Sequence, residues 1–329
     1  MKKLLLILIA FAIIFTTVAC AGTGKSSKDI VIAVVPQQLG NPVFYDAKDG
    51  AEAAAEELGI KLEWVAPVKA DAPEQVAVIE GLIEKKVSGI AISCNHPDAL
   101  ADVLKRAIDA GIKVSTFDAD SPASGRAFYA GTENYEAGKL CGEYMKKLFE
   151  HKKEGTIKVA QLTGILGAFD LEARMRGFAD AIAGTNIEVV YTGACEDDID
   201  KSVEIVETYT RSNPDIDAWF FVGGWPFFVK PEAMPELAKW KKASPDHKVV
   251  TMDSFYPMLQ FFDEGLCDVA IGQNFYQMGY LSVMNLYKLI KGEKIEADTN
   301  ENGLFINTGI EEVTPENYKE IRAGKKAWD

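Results

Sequence analysis

Polar and aromatic side chains follow directly on apolar, strand-like runs of this sequence. They are carboxylates, amides, one guanidinium and aromatic rings, at Gln37, Asn41, Phe44, Asn95, Asp118, Asp120, Phe169, Asp170, Arg174, Trp225, Asp253 and Gln273. Carboxylates and amide carbonyls accept hydrogen bonds from hydroxyl groups, while arginine and amide NH2 groups donate them. Flat aromatic faces cover the C–H sides of a sugar ring. This mixture predicts a site for a neutral, polyhydroxylated ligand.

Two of these positions, and the nearby Asp98, also have structural interpretations. An Asp or Asn at a strand end is often the N-cap of the following helix, and we interpret Asp98 in this way. Phe44 either faces the ligand or packs in the core beneath its loop. Arg174 is expected at the ligand, although an ion pair with Glu172 or Asp170 is the alternative.

The elements that must position these residues alternate between strands and helices. Strand-like runs at 30–35, 61–65, 89–93 and 113–117 are separated by helix-like stretches at 47–58, 73–85 and 98–110. The same order recurs, with strands at 157–162, 187–191, 218–222 and 248–252. Such alternation indicates parallel βαβ units. We therefore predict an α/β fold of two doubly wound parallel-sheet domains.

The clearest internal echo pairs residues 113–118 with residues 248–253. Both runs read K-V-x-T-apolar-D, so each ends on an aspartate, Asp118 or Asp253. Ligands of open parallel sheets lie beyond the carboxyl ends of the strands. Two such sheets facing each other would place both aspartates beside one ligand, and the symmetry favours that role over capping.

The repeat boundaries predict where the chain passes between the domains. Crossings are expected near residues 131–133, after residue 273 and near residues 302–304, which together form a three-strand hinge. The predicted organisation is a signal peptide at 1–19, a tether at 20–28, an N-terminal domain at 29–131 plus 274–303, and a C-terminal domain at 132–273 plus 304–329.

The N-terminal segment predicts export. Two lysines precede an apolar run at residues 4–15, which is too short to span a bilayer that needs about 20 residues. Thr17-Val18-Ala19-Cys20 resembles the bacterial lipobox, in which cleavage leaves Cys20 as a lipid-bearing first residue, although Leu is usual where Thr17 stands. An ordinary secretory signal is the alternative. We expect a chain lipid-anchored to the periplasmic or extracellular face of the cell membrane.

Catalytic and cofactor motifs are missing from the sequence. No nucleophile elbow, P-loop, H-E-x-x-H or dinucleotide-binding glycine pattern follows a strand, so neither enzyme activity nor a cofactor is expected. The four cysteines after Cys20 lack metal-binding spacing, so no metal site is expected, and buried free thiols are favoured over disulfides. A net charge of −14 repels phosphate backbones and excludes nucleic-acid binding.

Residues 29 to about 310 resemble the type I periplasmic sugar-binding proteins of ABC importers, the ribose-binding family and its relatives. The motifs that carry the resemblance, together with Asp253 and Gln273, are Asn41-Pro42-x-Phe44, Lys48-Asp49-Gly50, Gly89–Ser93, Pro97–Leu100, Thr116-Phe117-Asp118 and Ala173–Phe178. The resemblance implies the type I periplasmic binding protein fold. It also implies that Asn41 and Phe44 contact a sugar from one domain and that Asp118 binds hydroxyls. Arg174, Asp253 and Gln273 would bind from the other domain and the hinge.

The function implied by this resemblance is capture of a monosaccharide or polyol in the cleft and its delivery to a membrane permease, by a monomer. The alternative is a receptor subunit of the same fold that reports a ligand, such as a furanose-like autoinducer, to a chemoreceptor or sensor. Neighbouring permease and ATPase genes would distinguish the two.

The sequence departs from the ribose-type pattern at two positions. Ala119 stands where these proteins carry an arginine, and a second acid follows at Asp120. Gly224-Trp225 replaces an Asn-Asp pair. Trp225 lies between Gly-Gly and Pro, so we expect it to face the cleft rather than start a helix. One wall of the pocket should be more acidic and another more aromatic than in a ribose site.

Overall fold

Two α/β domains make up the part of the chain that the computed structural model describes, residues 29–300 and 302–325. The expected signal peptide, tether and Cys20 lie outside the described residues. In the first half the elements are β1 Val31–Val35, α1 Phe44–Leu58, β2 Lys61–Trp64, α2 Ala72–Lys85, β3 Gly89–Ile92, α3 Pro97–Asp109, β4 Lys113–Phe117 and β5 Tyr129–Gly131. The second half contains α4 Asn134–Leu148, β6 Ile157–Thr163, α5 Phe169–Ile182, β7 Ile187–Ala194, α6 Ile199–Ser212, β8 Ala218–Phe221, α7 Pro235–Ala243, β9 Lys248–Met252, α8 Gln260–Asp263 and β10 Val269–Gln273. The chain ends with α9 Phe275–Ile290, β11 Asp298–Asn300, β12 Gly303–Asn307, β13 Ile310–Val313 and α10 Tyr318–Gly324.

The two sheets repeat one topology. The first has the strand order β11-β12-β5-β4-β3-β1-β2 and the second β13-β10-β9-β8-β6-β7. Within each half the order is second, first, third, fourth, fifth, as in doubly wound sheets. These strands pair in parallel, whereas β11 pairs with β12 and β10 with β13 in antiparallel fashion. The predicted fold of two doubly wound domains is confirmed.

Continuous apolar runs form the central strands because both faces of each sheet are covered by helices. Every residue of β3 and β8 is buried. In the second domain, α4 and α5 approach closely through glycine. A Cβ atom built on Gly138 would lie 2.0 Å from the carbonyl oxygen of Arg174, and one on Gly177 would lie 2.0 Å from that of Tyr135. This close packing fixes the position of α5, which carries Arg174.

The chain passes between the sheets after β5, after β10 and after β12. The three segments are hydrogen-bonded to one another. Thr308 N donates to Gly131 O at 2.9 Å, and Thr132 Oγ1 donates to Gln273 Oε1 at 3.0 Å. The crossings are therefore adjacent and form one hinge region.

The third crossing differs from its expected place near residues 302–304. β12 begins at Gly303 and pairs with β5 of the first sheet up to Asn307, so the predicted boundary at 303/304 falls inside a strand of the N-terminal domain. β11 pairs with β12 in antiparallel fashion up to Asn300 and Gly303, and Gly303 has a φ of +104°. The chain reaches the second sheet only after Thr308 and Gly309.

Two smaller expectations are also resolved. The N-cap of α3 is His96, whose Nδ1 accepts from Ala99 N at 3.3 Å, so the interpretation of Asp98 as the cap was wrong. The helix begins at Pro97, which places Asp98 inside its first turn.

Cys94, Cys141, Cys195 and Cys267 are buried free thiols, as favoured from the sequence. Over residues 29–300 and 302–325, no helix has the length and apolarity needed to cross a membrane.

Candidate functional site

A cavity of about 300 Å³ lies between the carboxyl ends of the two sheets. Its walls are the loops after β1, β3 and β4 on one side and the loops after β6 to β10 on the other. All twelve side chains singled out from the sequence line this cavity. Parallel strands bring these distant residues together because their carboxyl ends meet at one edge of each sheet.

Arg174 is the cation of the cavity, and only 3% of its surface is exposed. Its Nε donates to Asn134 Oδ1 and its Nη2 donates to Gln273 Oε1, both at 2.8 Å. A carboxylate oxygen of Asp170 lies 3.7 Å from Nη2, so the ion pair considered from the sequence exists but is long. Glu172 instead accepts from a backbone N–H of the preceding loop. The guanidinium is therefore held rigidly by several groups, with its edge towards the cavity.

Asp118 and Asp253 occupy equivalent places at the ends of β4 and β9. Both have left-handed backbones, with φ of +56° and +74°. Such conformations are uncommon for residues other than glycine and cluster at functional sites. Ser93 Oγ donates to Asp118 Oδ2 at 2.7 Å, and Gly224 N donates to Asp253 Oδ2 at the same distance. The sharp turn at each strand end directs both carboxylates into the cavity.

The pKa values of three carboxyl groups that line the cavity are raised above their usual range. Burial, reinforced by the nearby charge of Asp170, raises the pKa of Asp118 to about 7. The same two causes raise the pKa of Asp197 to about 7. Burial also raises the pKa of Asp253, although Arg174 and the hydrogen bond from Gln273 oppose the shift. The Asp118 and Asp197 carboxyl groups can therefore accept or donate hydrogen bonds near neutral pH, which suits hydroxyl groups of either orientation.

Asp120 lines the cavity, but its carboxylate accepts hydrogen bonds from neighbouring residues of its own domain. Arg126 Nε and Nη2 donate to it at 2.6 and 2.5 Å, and Ser121 N donates at 2.7 Å. Thr116 Oγ1 is a further donor. The side chains of Asp120 and Arg126 are 5% and 3% exposed. The expectation that Asp120 makes this wall more acidic is corrected, because Arg126 neutralises its charge.

Trp225 faces the cavity, as expected, over two glycines. A Cβ atom on Gly164 or Gly223 would lie 2.6 Å from the indole ring, so only glycine leaves room for the ring at these positions. The expectation that Trp225 does not start a helix was wrong, since it begins a single 3-10 turn over Trp225–Phe227. Pro226 fits the first turn because its missing N–H needs no partner there.

Two phenylalanines contribute differently to the cavity. Phe44 is 2% exposed and packs edge-on against Phe117 and Phe275, with ring centroids 6.2 and 6.0 Å away. Phe44 therefore belongs to the core and also lines the cavity, and its contact with a ligand stays a prediction. Phe169 begins α5 and is 44% exposed, so it lies at the edge of the cavity.

The three amide side chains after β1 and β3 are held by hydrogen bonds to nearby backbone groups. Gln37 Nε2 donates to Cys94 O at 3.3 Å, and Asn95 Nδ2 donates to Gln37 O at 2.9 Å. Asn41 Oδ1 accepts from Val43 N at 3.1 Å, which closes its loop. These bonds fix the wall that the N-terminal domain presents.

The lining residues that sequence reasoning missed include one acid and three aromatic residues: Asp197, Phe228, Phe255 and Phe275. Asp197 follows β7 with φ +58° and could have been found by the rule that located Asp118 and Asp253. The three phenylalanines carry no such signal, because each resembles an ordinary core residue in the sequence. Within the part of the chain that the structure describes, no group of three or more His, Cys, Asp or Glu could hold a metal ion.

Comparison with known proteins decides the family. Residues 32–294 match the family model of the periplasmic binding protein domain. The chain belongs to the type I periplasmic sugar-binding proteins. It is 28% identical to the ribose import binding protein RbsB of Escherichia coli over 297 residues, which cover 90% of this chain and 95% of that protein.

Solved structures of the same family match both domains. An ABC transporter solute-binding protein from Burkholderia graminis in complex with D-arabinose shares 35% identity with a TM-score of 0.79, covering 89% of this chain and 98% of that one. The arabinose-binding protein AraP of Geobacillus stearothermophilus shares 28% identity with a TM-score of 0.71, covering 89% and 99%. In this periplasmic sugar-binding protein, the cavity thus lies where the family's architecture brings two domains together.

Proposed function

We propose that this chain is the substrate-binding lipoprotein of a sugar ABC importer. It captures a monosaccharide or polyol between its domains and delivers the ligand to a membrane permease. The observation that carries the proposal is the cavity itself, in which Asp118, Arg174 and Asp253 converge from two domains among aromatic rings. Its relatives are substrate-binding proteins of importers, which supports transport over catalysis. We propose that it acts as a monomer.

The cavity indicates the size and class of the ligand. Its volume of about 300 Å³ is at the lower end of the range of about 300–1,000 Å³ for small-molecule pockets. One sugar ring of pentose or hexose size is the proposed occupant, and the named ligands of the relatives, ribose and arabinose, are of this size. Asp118, Asp170 and Asp253 would bind ring hydroxyls, and the Arg174 guanidinium would donate to a ring or hydroxyl oxygen. Phe44 and Trp225 would contact the C–H faces.

A thermal-shift screen of pentoses, hexoses, deoxyhexoses and polyols, followed by titration calorimetry, tests this proposal. We expect at least one monosaccharide or polyol to raise the melting temperature, since a ligand bound only by the folded state stabilises it. Arg174→Met should remove that shift. Arg211→Met, at an exposed position on α6 outside the cavity, is the matched control and should keep it. A full screen without any shift would refute sugar binding.

The lipid anchor is a separate part of the proposal and rests on the sequence before residue 21. Cys20→Ala should move the protein from the membrane fraction to the soluble extract. Cys94→Ala replaces a buried thiol of the folded domain and should leave the protein in the membrane fraction. If Cys20→Ala stays with the membrane, the protein is held there by something other than a lipid on this residue.

A further inference from the structure

A second chamber of about 400 Å³ lies on the hinge side of the sugar cavity. The two spaces share a wall of four residues: Asp118, Asp120, Phe169 and Asp170. The remaining walls of this hinge-side chamber come from β5, the first turn of α4 and the β11–β12 hairpin. Both domains therefore enclose it, as they enclose the sugar cavity. Its volume is sufficient for a sugar ring.

The lining of the hinge-side chamber repeats the chemistry of the sugar cavity. Three aromatic residues line it: Tyr129 and Phe305 are nearly buried and stack on each other with ring centroids 5.6 Å apart, whereas Tyr135 is only partly buried. Asn134 uses its carbonyl oxygen to accept from Arg174, which leaves its NH2 group to donate. Asn302 adds a second amide side chain at the opposite wall. Amides, hydroxyls and rings around one space are the groups that bind sugars.

The charges of the chamber restrict what it can hold. Asp118, Glu133 and Asp170 are acidic, and the cation that faces them is Arg176, whose guanidinium lies 5.5 Å from the centre of the Tyr135 ring. Asp120 adds no net charge, because it is paired with Arg126. Asp170 lies 3.7 Å from the Arg174 guanidinium and Asp118 keeps its proton up to a pKa of about 7, so Glu133 and Arg176 leave the lining close to neutral, with no excess of positive charge to bind a phosphate or carboxylate ligand. The chamber thus suits a neutral, hydroxylated molecule.

We propose that the hinge-side chamber is a second saccharide subsite, which binds one hydroxylated ring next to the ring in the sugar cavity. This proposal rests on the proposed sugar-binding function. The ring is either a second free monosaccharide or the second unit of a disaccharide whose first unit occupies the sugar cavity. Asp118, Phe169 and Asp170 border both spaces, so they would contact both rings.

Titration calorimetry distinguishes the two sources. The probes are D-ribose, D-arabinose, D-xylose and D-glucose, together with the disaccharides xylobiose, cellobiose, maltose and sucrose. A free second ring predicts two monosaccharide molecules per protein. A linked second ring predicts one disaccharide per protein, bound at least tenfold more tightly than its component monosaccharide. Either result supports the subsite.

Variants that fill the chamber locate the second ring. Asn302→Trp should abolish the second monosaccharide or reduce disaccharide affinity at least tenfold, while binding of the first monosaccharide changes less than twofold. Asn302→Ala removes the amide but keeps the chamber open, so as the matched comparison it should weaken binding of the second ring less than Asn302→Trp does. If Asn302→Trp does not fold, Arg176→Trp on the exposed face of α5 fills the same space, with Arg176→Ala as its control.

The outcomes separate this proposal from the proposed function. A single monosaccharide per protein without tighter disaccharide binding would overturn the second subsite and leave sugar capture standing. Equal losses of monosaccharide and disaccharide affinity in the filled variants would also overturn it. Failure of every probe to bind would overturn the subsite and sugar capture together.

Discussion

Replacement of Asp253 by alanine tests the core of the candidate site. The carboxylate accepts from Gly224 N at 2.7 Å and from Gln273 Nε2 at 2.8 Å, and the residue is 6% exposed. Asp253→Ala leaves both donors without an acceptor, at a cost of about 1–3 kcal/mol for each buried group left unpaired. The φ of +74° is strained in the wild type as well, since any Cβ disfavours the left-handed region, so alanine keeps this strain while it loses the hydrogen bonds of the carboxylate.

The loss of ligand affinity follows from the same carboxylate. Its two oxygens offer about four lone-pair positions, so it can accept from ligand hydroxyls while it keeps both internal bonds. Removing these bonds should cost about 1–3 kcal/mol, which corresponds to an affinity about 5- to 150-fold weaker. Titration calorimetry with the sugar found in the thermal-shift screen measures this change directly.

Two further variants at this position separate strain from chemistry. Asp253→Gly lacks the carboxylate but tolerates the left-handed backbone, so it should recover stability relative to alanine without recovering affinity. Asp253→Asn keeps one acceptor oxygen and should be intermediate in both measurements. Wild-type affinity in Asp253→Ala, with the folded state confirmed by its melting transition, would refute the assignment of Asp253 to the site.

Three other expectations concern charge and motion. The folded state holds the Asp118 proton up to a pKa of about 7, whereas the unfolded chain releases it near 3.8. The free energy of unfolding should therefore fall as the pH rises through this window. Asp118→Asn carries no such proton, so its melting temperature should rise relative to that of the wild type between pH 5 and pH 8. Arg126→Met strands the buried charge of Asp120 and should cost about 3–5 kcal/mol in denaturant unfolding, whereas adding Asp120→Leu should restore part of it. Small-angle scattering should show a smaller radius of gyration with bound sugar; an unchanged radius at saturation would contradict domain closure.

Much of the fold was predictable because burial on both faces of a sheet leaves a strong pattern. β1, β3 and β8 are continuous apolar runs, and the repeated K-V-x-T-apolar-D pattern marks the fourth strand of each half. The repeat then placed Asp118 and Asp253 at equivalent edges. Their shared left-handed backbone is the structural counterpart of that echo.

The features that could not be predicted depend on contacts between side chains that are separated by loops. Nothing in the sequence links Asp120 to Arg126, since only the turn between β4 and β5 brings the two charges together. The same ion pair reaches the hinge region, because Arg126 Nη2 also donates to Asn302 O at 3.2 Å and Nη1 to Leu304 O at 3.2 Å. Arg126 therefore holds the residues next to the third crossing, and no local sequence pattern around Arg126 indicates this role.

Gln273 connects ligand capture to the hinge. It is the last residue of β10, where the chain leaves the second domain, and its Oε1 accepts from Thr132 Oγ1 of another crossing and from Arg174. Its Nε2 donates to Asp253. A ligand that binds Arg174 or Asp253 must therefore alter or reinforce hydrogen bonds of the hinge itself. Since a ligand shifts a conformational equilibrium only by its difference in affinity for the two states, these shared bonds provide a physical route from sugar binding to domain closure.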